Sequence, residues 1–99
     1  MSNIKIVAIC GSMRFSKEMK KIAWDLEDSG KYLVIQCAYN EENSSCNKPN
    51  HDLIHRKKIE VSDAIYVVNV DGYIGESTKN EIEYAKSLNK EIIYFEPIE

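Results

Sequence analysis

The sequence predicts a small Rossmann-like (flavodoxin-like) three-layer α/β domain around a four-stranded parallel sheet of order 2-1-3-4, and three observations carry that expectation. Four short β-rich runs alternate with three longer segments of helical period, which is the signature of βα units wound into a parallel sheet. The first and third runs are apolar almost without interruption, as in strands covered by helices on both faces. At 99 residues and 43% hydrophobic content the chain can fill one core and not two, so residues 1–99 are expected to form one domain.

The first run, Ile4 to Cys10, is expected to be the central strand. From Phe15 the period changes: Phe15, Met19, Ile22, Ala23 and Leu26 fall on one helical stripe, with Lys17, Lys20, Lys21, Asp25 and Asp28 on the wet side. Gly30 ends that helix. Tyr32 to Ile35 is the second strand, extending toward Ala38, and Asn40 to Asn50 is a polar loop or lid. Leu53, Ile54, Ile59 and Val61 mark an imperfect stripe for a second helix among Arg56, Lys57, Lys58 and Glu60. Ser62-Asp63 turns into the third strand, Ala64 to Val70. A third helix starts at Ser77 or Thr78 with Glu81, Tyr84, Ala85 and Leu88 on one line, and Ile92 to Phe95 is the last strand, stopped by Pro97.

Charge and composition exclude several classes of function. A net charge of −3, from 13 basic and 16 acidic residues, provides no basic footprint for a phosphate backbone, so nucleic acid is not expected as a partner. No apolar run approaches the roughly 20 residues that span a bilayer, and the first residues read as a strand, so a cytoplasmic protein without membrane contact is expected. Cys10, Cys37 and Cys46 are too few for a secreted disulfide framework and are expected to be free thiols. Cys10 and Cys37 could be neighbours at strand ends, but buried small hydrophobes are the simpler expectation. Asn43-Ser44-Ser45 fits a glycosylation acceptor but means only an exposed loop here. His51 and His55 have the four-residue spacing of metal ligands on a helix. Without a zincin glutamate or an assured third ligand, they are expected to be exposed, with no metal bound.

The order 2-1-3-4 reverses direction between strands one and three. Ligands of open parallel sheets bind at such a reversal, outside the carboxyl ends of the strands. The loops after those two strands are therefore the candidate site. Gly11-Ser12-Met13-Arg14 offers close backbone approach, a hydroxyl, helix-start N–H groups and a guanidinium, which suit a phosphate or carboxylate. The G-x-G-x-x-G spacing of dinucleotide sites is absent. A tight turn at Gly11, a cap at Ser12 and a solvated Arg14 form the ordinary alternative. The second loop, Gly72 to Thr78, brings Gly75, Ser77 and Thr78 to a helix N-terminus, with Tyr73 as a stacking surface. Thr78-Lys79-Asn80-Glu81 also fits a capping box, in which Glu81 only reaches back to an N–H. Against that stands the expected inward line of Glu81, which places a carboxylate at the mouth of the crevice as a nucleophile or electrostatic stabiliser.

These residues, Ile9-Cys10-Gly11-Ser12-Met13-Arg14, Ser62-Asp63-Ala64-Ile65, and Gly75-Glu76-Ser77-Thr78 leading into Glu81-Ile82-Glu83-Tyr84-Ala85, resemble the nucleoside 2-deoxyribosyltransferase superfamily, including the deoxynucleoside 5'-monophosphate N-glycosidases. The resemblance implies Glu81 as the nucleophile toward an anomeric carbon and Gly11, Ser12 and Arg14 on the sugar or phosphate. It implies Ser77 and Thr78 as further phosphate contacts. It requires no cofactor, and its ligand is a small nucleoside or nucleotide. The superfamily's acid is usually an aspartate on the helix before the third strand; that place falls near His55, with Asp52 one turn earlier. Asp52 is the candidate acid, with Glu76 and Asp71 as substitutes from the loop, and with no acid the chain would be a non-catalytic nucleotide-binding module. Ala8 stands where the monophosphate N-glycosidases tend to place an aromatic residue. Sheet edges left by four strands lead to an expected homo-oligomer, a dimer.

Overall fold

Side-chain alternation along the first strand sorts the molecule into layers. The computed structural model describes residues 3–39 and 48–98. In it, β1 (Lys5–Gly11) lies between β2 (Tyr32–Ile35) and β3 (Ala64–Val68), and β4 (Glu91–Tyr94) pairs with β3. Every pairing is parallel and the order is β2-β1-β3-β4. Successive strand residues point to opposite faces. Val7 and Ile9 accordingly pack with Met19, Ile22 and Ala23 of α1 (Ser16–Asp28), while Ala8 and Cys10 pack with Ile59 of α2 (Lys48–Glu60) and with Ile82 and Ala85 of α3 (Glu76–Ser87). One helix covers one face and two cover the other. Burying each large aliphatic side chain in these layers contributes about 1.5–3 kcal/mol.

Polar clips hold the strand ends in register. The Asp63 N–H donates to the Ile6 carbonyl at 2.7 Å and its carboxylate accepts the Ile6 N–H at 2.9 Å, fixing the start of β3 on β1. At the other end Asn69, fully buried, accepts the Glu96 N–H at 2.8 Å and donates to the Glu96 carbonyl at 2.9 Å. That clip explains why β3 stops at Val68 and not at Val70. The chain leaves the sheet to make it, then turns through a 3-10 segment, Val70–Gly72, with Asp71 and Gly72 at φ of 56° and 78°. The second of these left-handed positions suits glycine.

Three helical expectations change. α2 begins at Lys48, inside the segment read as a polar loop; the remainder of that loop, 40–47, lies outside the described residues together with the acceptor triplet Asn43-Ser44-Ser45 and Cys46. Ile59 is fully buried, yet Leu53, Ile54 and Val61 are exposed, because the inward line of α2 is His55 followed four residues later by Ile59. On α3 the buried line is Thr78, Ile82 and Ala85, one residue away from the line of Glu81, Tyr84 and Leu88, which puts Glu81 at the margin of the interface. Among the described residues, no helix is long and apolar enough to cross a membrane.

Candidate functional site

The loops after β1 and β3 meet at the carboxyl end of the sheet. Arg14 Cζ stands 4.1 Å above the centre of the Tyr73 ring, and Phe15 meets the same ring edge to face at 5.9 Å between centroids. The reversal in strand order therefore brings together the two segments singled out in the sequence. Local chemistry explains each turn. A Cβ on Gly11 would lie 3.1 Å from Met19 Sδ and 3.3 Å from the Val68 carbonyl, so any side chain there would press α1 and β3 back from β1 by a few tenths of an ångström. Ser12 caps the 3-10 turn Met13–Phe15, its hydroxyl accepting the Arg14 N–H at 3.3 Å.

At the second loop α3 starts at Glu76, with Gly75 as its cap and no side-chain capping hydrogen bond. The capping box expected from Thr78 and Glu81 is not formed, since both lie inside the helix. Thr78 is buried, leaving Ser77 as the exposed hydroxyl of the first turn. Glu81 instead faces α2. Its Oε2 lies 3.4 Å from His55 Nε2, with the Glu81 and His55 side chains 25% and 13% exposed. The same His55 nitrogen is 3.5 Å from the sulfur of Cys10. Two histidines expected to be exposed are thus separated: His51 is exposed, while His55 closes against β1 and α3.

Burial pushes the Cys10 thiol well above its ordinary value, and the Glu81 carboxylate and Cys37 push it further in the same direction. Cys10 is 1% exposed and is held as a thiol. Burial also raises Cys37, which is half-buried on the β2 side; both are free cysteines.

A cavity of about 100 Å³ opens between α2 and α3, lined by Asp52, His55, Arg56, Ile59, Ser77, Asn80, Glu81 and Tyr84. Asp52, Ser77 and Glu81, all candidates from the sequence, share this wall. Tyr84 donates its hydroxyl hydrogen bond to Glu60 and lies 5.0 Å beneath the Arg56 guanidinium, so the far wall is cross-linked between the two helices. A larger hollow, about 470 Å³, lies on the α1 side beside Trp24, Cys37 and Tyr39. Its carboxylate, Glu27, is committed to the Val34 N–H at 2.9 Å, and no residue of the two facing loops lines it. We therefore place the candidate site in the smaller cavity, which gathers Asp52 and Glu81 with Ser77 of the loop after β3, whereas Gly11, Ser12, Arg14, Gly75 and Thr78 do not line it.

Sequence reasoning missed His55 and Cys10 as members of this site. The signal was present in the spacing, because His55 stands one turn before the buried Ile59 on α2. Comparison with protein-family models and with curated proteins finds no match to this chain.

Proposed function

We propose that the chain cleaves, or exchanges, the N-glycosidic bond of a deoxynucleoside or deoxynucleoside 5'-monophosphate, with Glu81 as nucleophile. The observation that carries this reading is the placement of Glu81: a partly buried carboxylate, free of a capping role, on a cavity it shares with Asp52 and Ser77 at the carboxyl end of the sheet.

Attack of a Glu81 oxygen on the anomeric carbon breaks the carbon–nitrogen bond, and the departing base takes a proton from Asp52. The glycosyl ester is then opened by water, whose proton returns to Asp52, or by a second base, which restores the N-glycosidic bond with a new partner. His55 holds Glu81 in position from the α2 side. Ser77, the first-turn N–H groups of α3 and Arg14 are the candidates for the phosphate. Because about 100 Å³ is below the usual 300–1,000 Å³ of small-molecule pockets, the cavity takes the sugar edge. Base and phosphate extend out of the cavity.

Incubating the chain with each common deoxynucleoside and 5'-monophosphate, with and without a free acceptor base, tests the reading by chromatography of released or exchanged base. Release or exchange from at least one substrate is expected; none at high protein concentration overturns it. The exposure of Asp52 favours a second reading, a non-catalytic nucleotide-binding module, since a side chain open to water is not enclosed against the departing base. That module would show no base release but a melting shift with nucleotide, a ligand at 100 times its Kd adding about 2.7 kcal/mol.

A further inference from the structure

We infer that Cys10 Sγ, His55 Nε2 and Glu81 Oε2 form a three-ligand Zn²⁺ site whose fourth position opens into the cavity between α2 and α3. Three donors from three separate elements, β1, α2 and α3, converge there, with all their ligand atoms within 4.8 Å of one another. Tetrahedral zinc with Zn–S of about 2.3 Å and Zn–N and Zn–O of about 2.0–2.2 Å sets its ligands roughly 3.4–3.6 Å apart. The sulfur–nitrogen and nitrogen–oxygen separations are 3.5 and 3.4 Å.

The connectivity argues the same way. A nucleophile relay uses both ring nitrogens of a histidine, one toward the thiol and the other toward the carboxylate. Here sulfur and carboxylate approach the same nitrogen, Nε2. One ring N–H shared between sulfur and carboxylate makes two weak bonds at best, and 3.4 Å exceeds the 2.7–3.2 Å of an N–H···O bond. Cys10 is also too buried to attack a substrate, as a relay would demand. A shared cation explains the common focus.

Charge and surroundings suit a divalent ion. Cys10 gives up its proton to solvent on binding, so thiolate, carboxylate and neutral imidazole with Zn²⁺ sum to zero net charge. The apolar floor of Ala8, Ile59 and Ile82 would make any residual charge costly. A sulfur, nitrogen and oxygen donor set favours zinc over magnesium or calcium, which take oxygen ligands. Glu81 cannot ligate zinc and attack a sugar at once, so zinc and substrate exclude each other wherever Glu81 acts as nucleophile.

The test uses the full chain without a polyhistidine tag, carrying Cys37→Ala and Cys46→Ala so that Cys10 is the only thiol. Titration with Co²⁺ is expected to give one equivalent, with a thiolate-to-cobalt charge-transfer band in the near ultraviolet and tetrahedral bands in the visible, all displaced by Zn²⁺. Cys10→Ser should abolish the charge-transfer band, and His55→Gln and Glu81→Gln should each weaken Zn²⁺ binding at least about tenfold. Circular dichroism checks the fold of each variant, and the cobalt spectrum of the parent chain decides the matter without them. Cobalt binding with no thiolate band, no stoichiometric binding, or zinc affinity untouched by Cys10→Ser overturns the proposal. No substrate enters these titrations, whereas base release by the chelator-treated chain reads the glycosidic activity, so failure of one leaves the other standing.

Discussion

On the α1 side of the sheet, the buried cluster is Val7, Ile9, Met19, Ile22, Ala23, Val34, Ala64 and Val68, with Cys37, Tyr39 and Tyr66 partly buried against it. On the α2 and α3 side, Ala8, Ile59, Ile65, Val67, Ile82 and Ala85 surround Cys10, and His55 and Glu81 complete a polar focus at the margin of the same layer. Both faces alternate along the same strands. The difference teaches that one layer is packed for stability and the other gives up apolar contact to hold reactive groups at the end of the sheet where the strand order reverses.

The comparison can be broken first on the polar side. Asp52→Asn should lower base release about 10²- to 10⁴-fold, the usual contribution of a general acid, which is about 2.7–5.5 kcal/mol of barrier. Its stability in denaturant should change by less than about 0.5 kcal/mol, since the residue is exposed. An unchanged rate would remove Asp52 from the mechanism. The apolar side should answer in the opposite sense: Met19→Ala, at a fully buried position, should cost about 2–5 kcal/mol in a urea titration and leave kcat of the folded fraction little changed.

Smaller effects sharpen the boundary between the faces. Tyr73→Ala removes the ring beneath Arg14 and beside Phe15, and should cost about 1–2 kcal/mol of stability while raising KM more than it lowers kcat. The weakest effect is on pH dependence. The fold holds the Cys10 proton more tightly than the unfolded chain does, so the stability it contributes is full below the ordinary thiol value of 9.0 and is lost as pH rises above it. Cys37 and Tyr39 shift in the same direction, chiefly through burial. In the chelator-treated chain, denaturant midpoints should fall from about pH 8 to about pH 10, and Cys10→Ala should flatten the part of that slope due to Cys10.

The legibility of the fold follows the same division. The nearly continuous apolar runs of the strands, alternating with helical segments, and the stripe of Phe15, Met19, Ile22, Ala23 and Leu26 are local signals, and with right-handed crossovers they make the strand order and the α1 face legible. The α2 stripe misleads because Leu53 and Ile54 lie outward while a histidine takes the inward place. Glu81 was visible by position, and its freedom from the capping box was not, because that depends on α3 starting at Glu76. The focus of Cys10, His55 and Glu81 joins residues from three separate elements that lie far apart in sequence, and the packing of those elements makes it.

The most direct measurement of the central claim is base release by the wild-type chain and by Glu81→Gln, side by side, with a melting curve for each. Release by the wild type, a loss of at least about 10⁴-fold in the variant, and melting curves that nearly coincide are expected. A Glu81→Gln variant that folds normally and still releases base at the wild-type rate would contradict it.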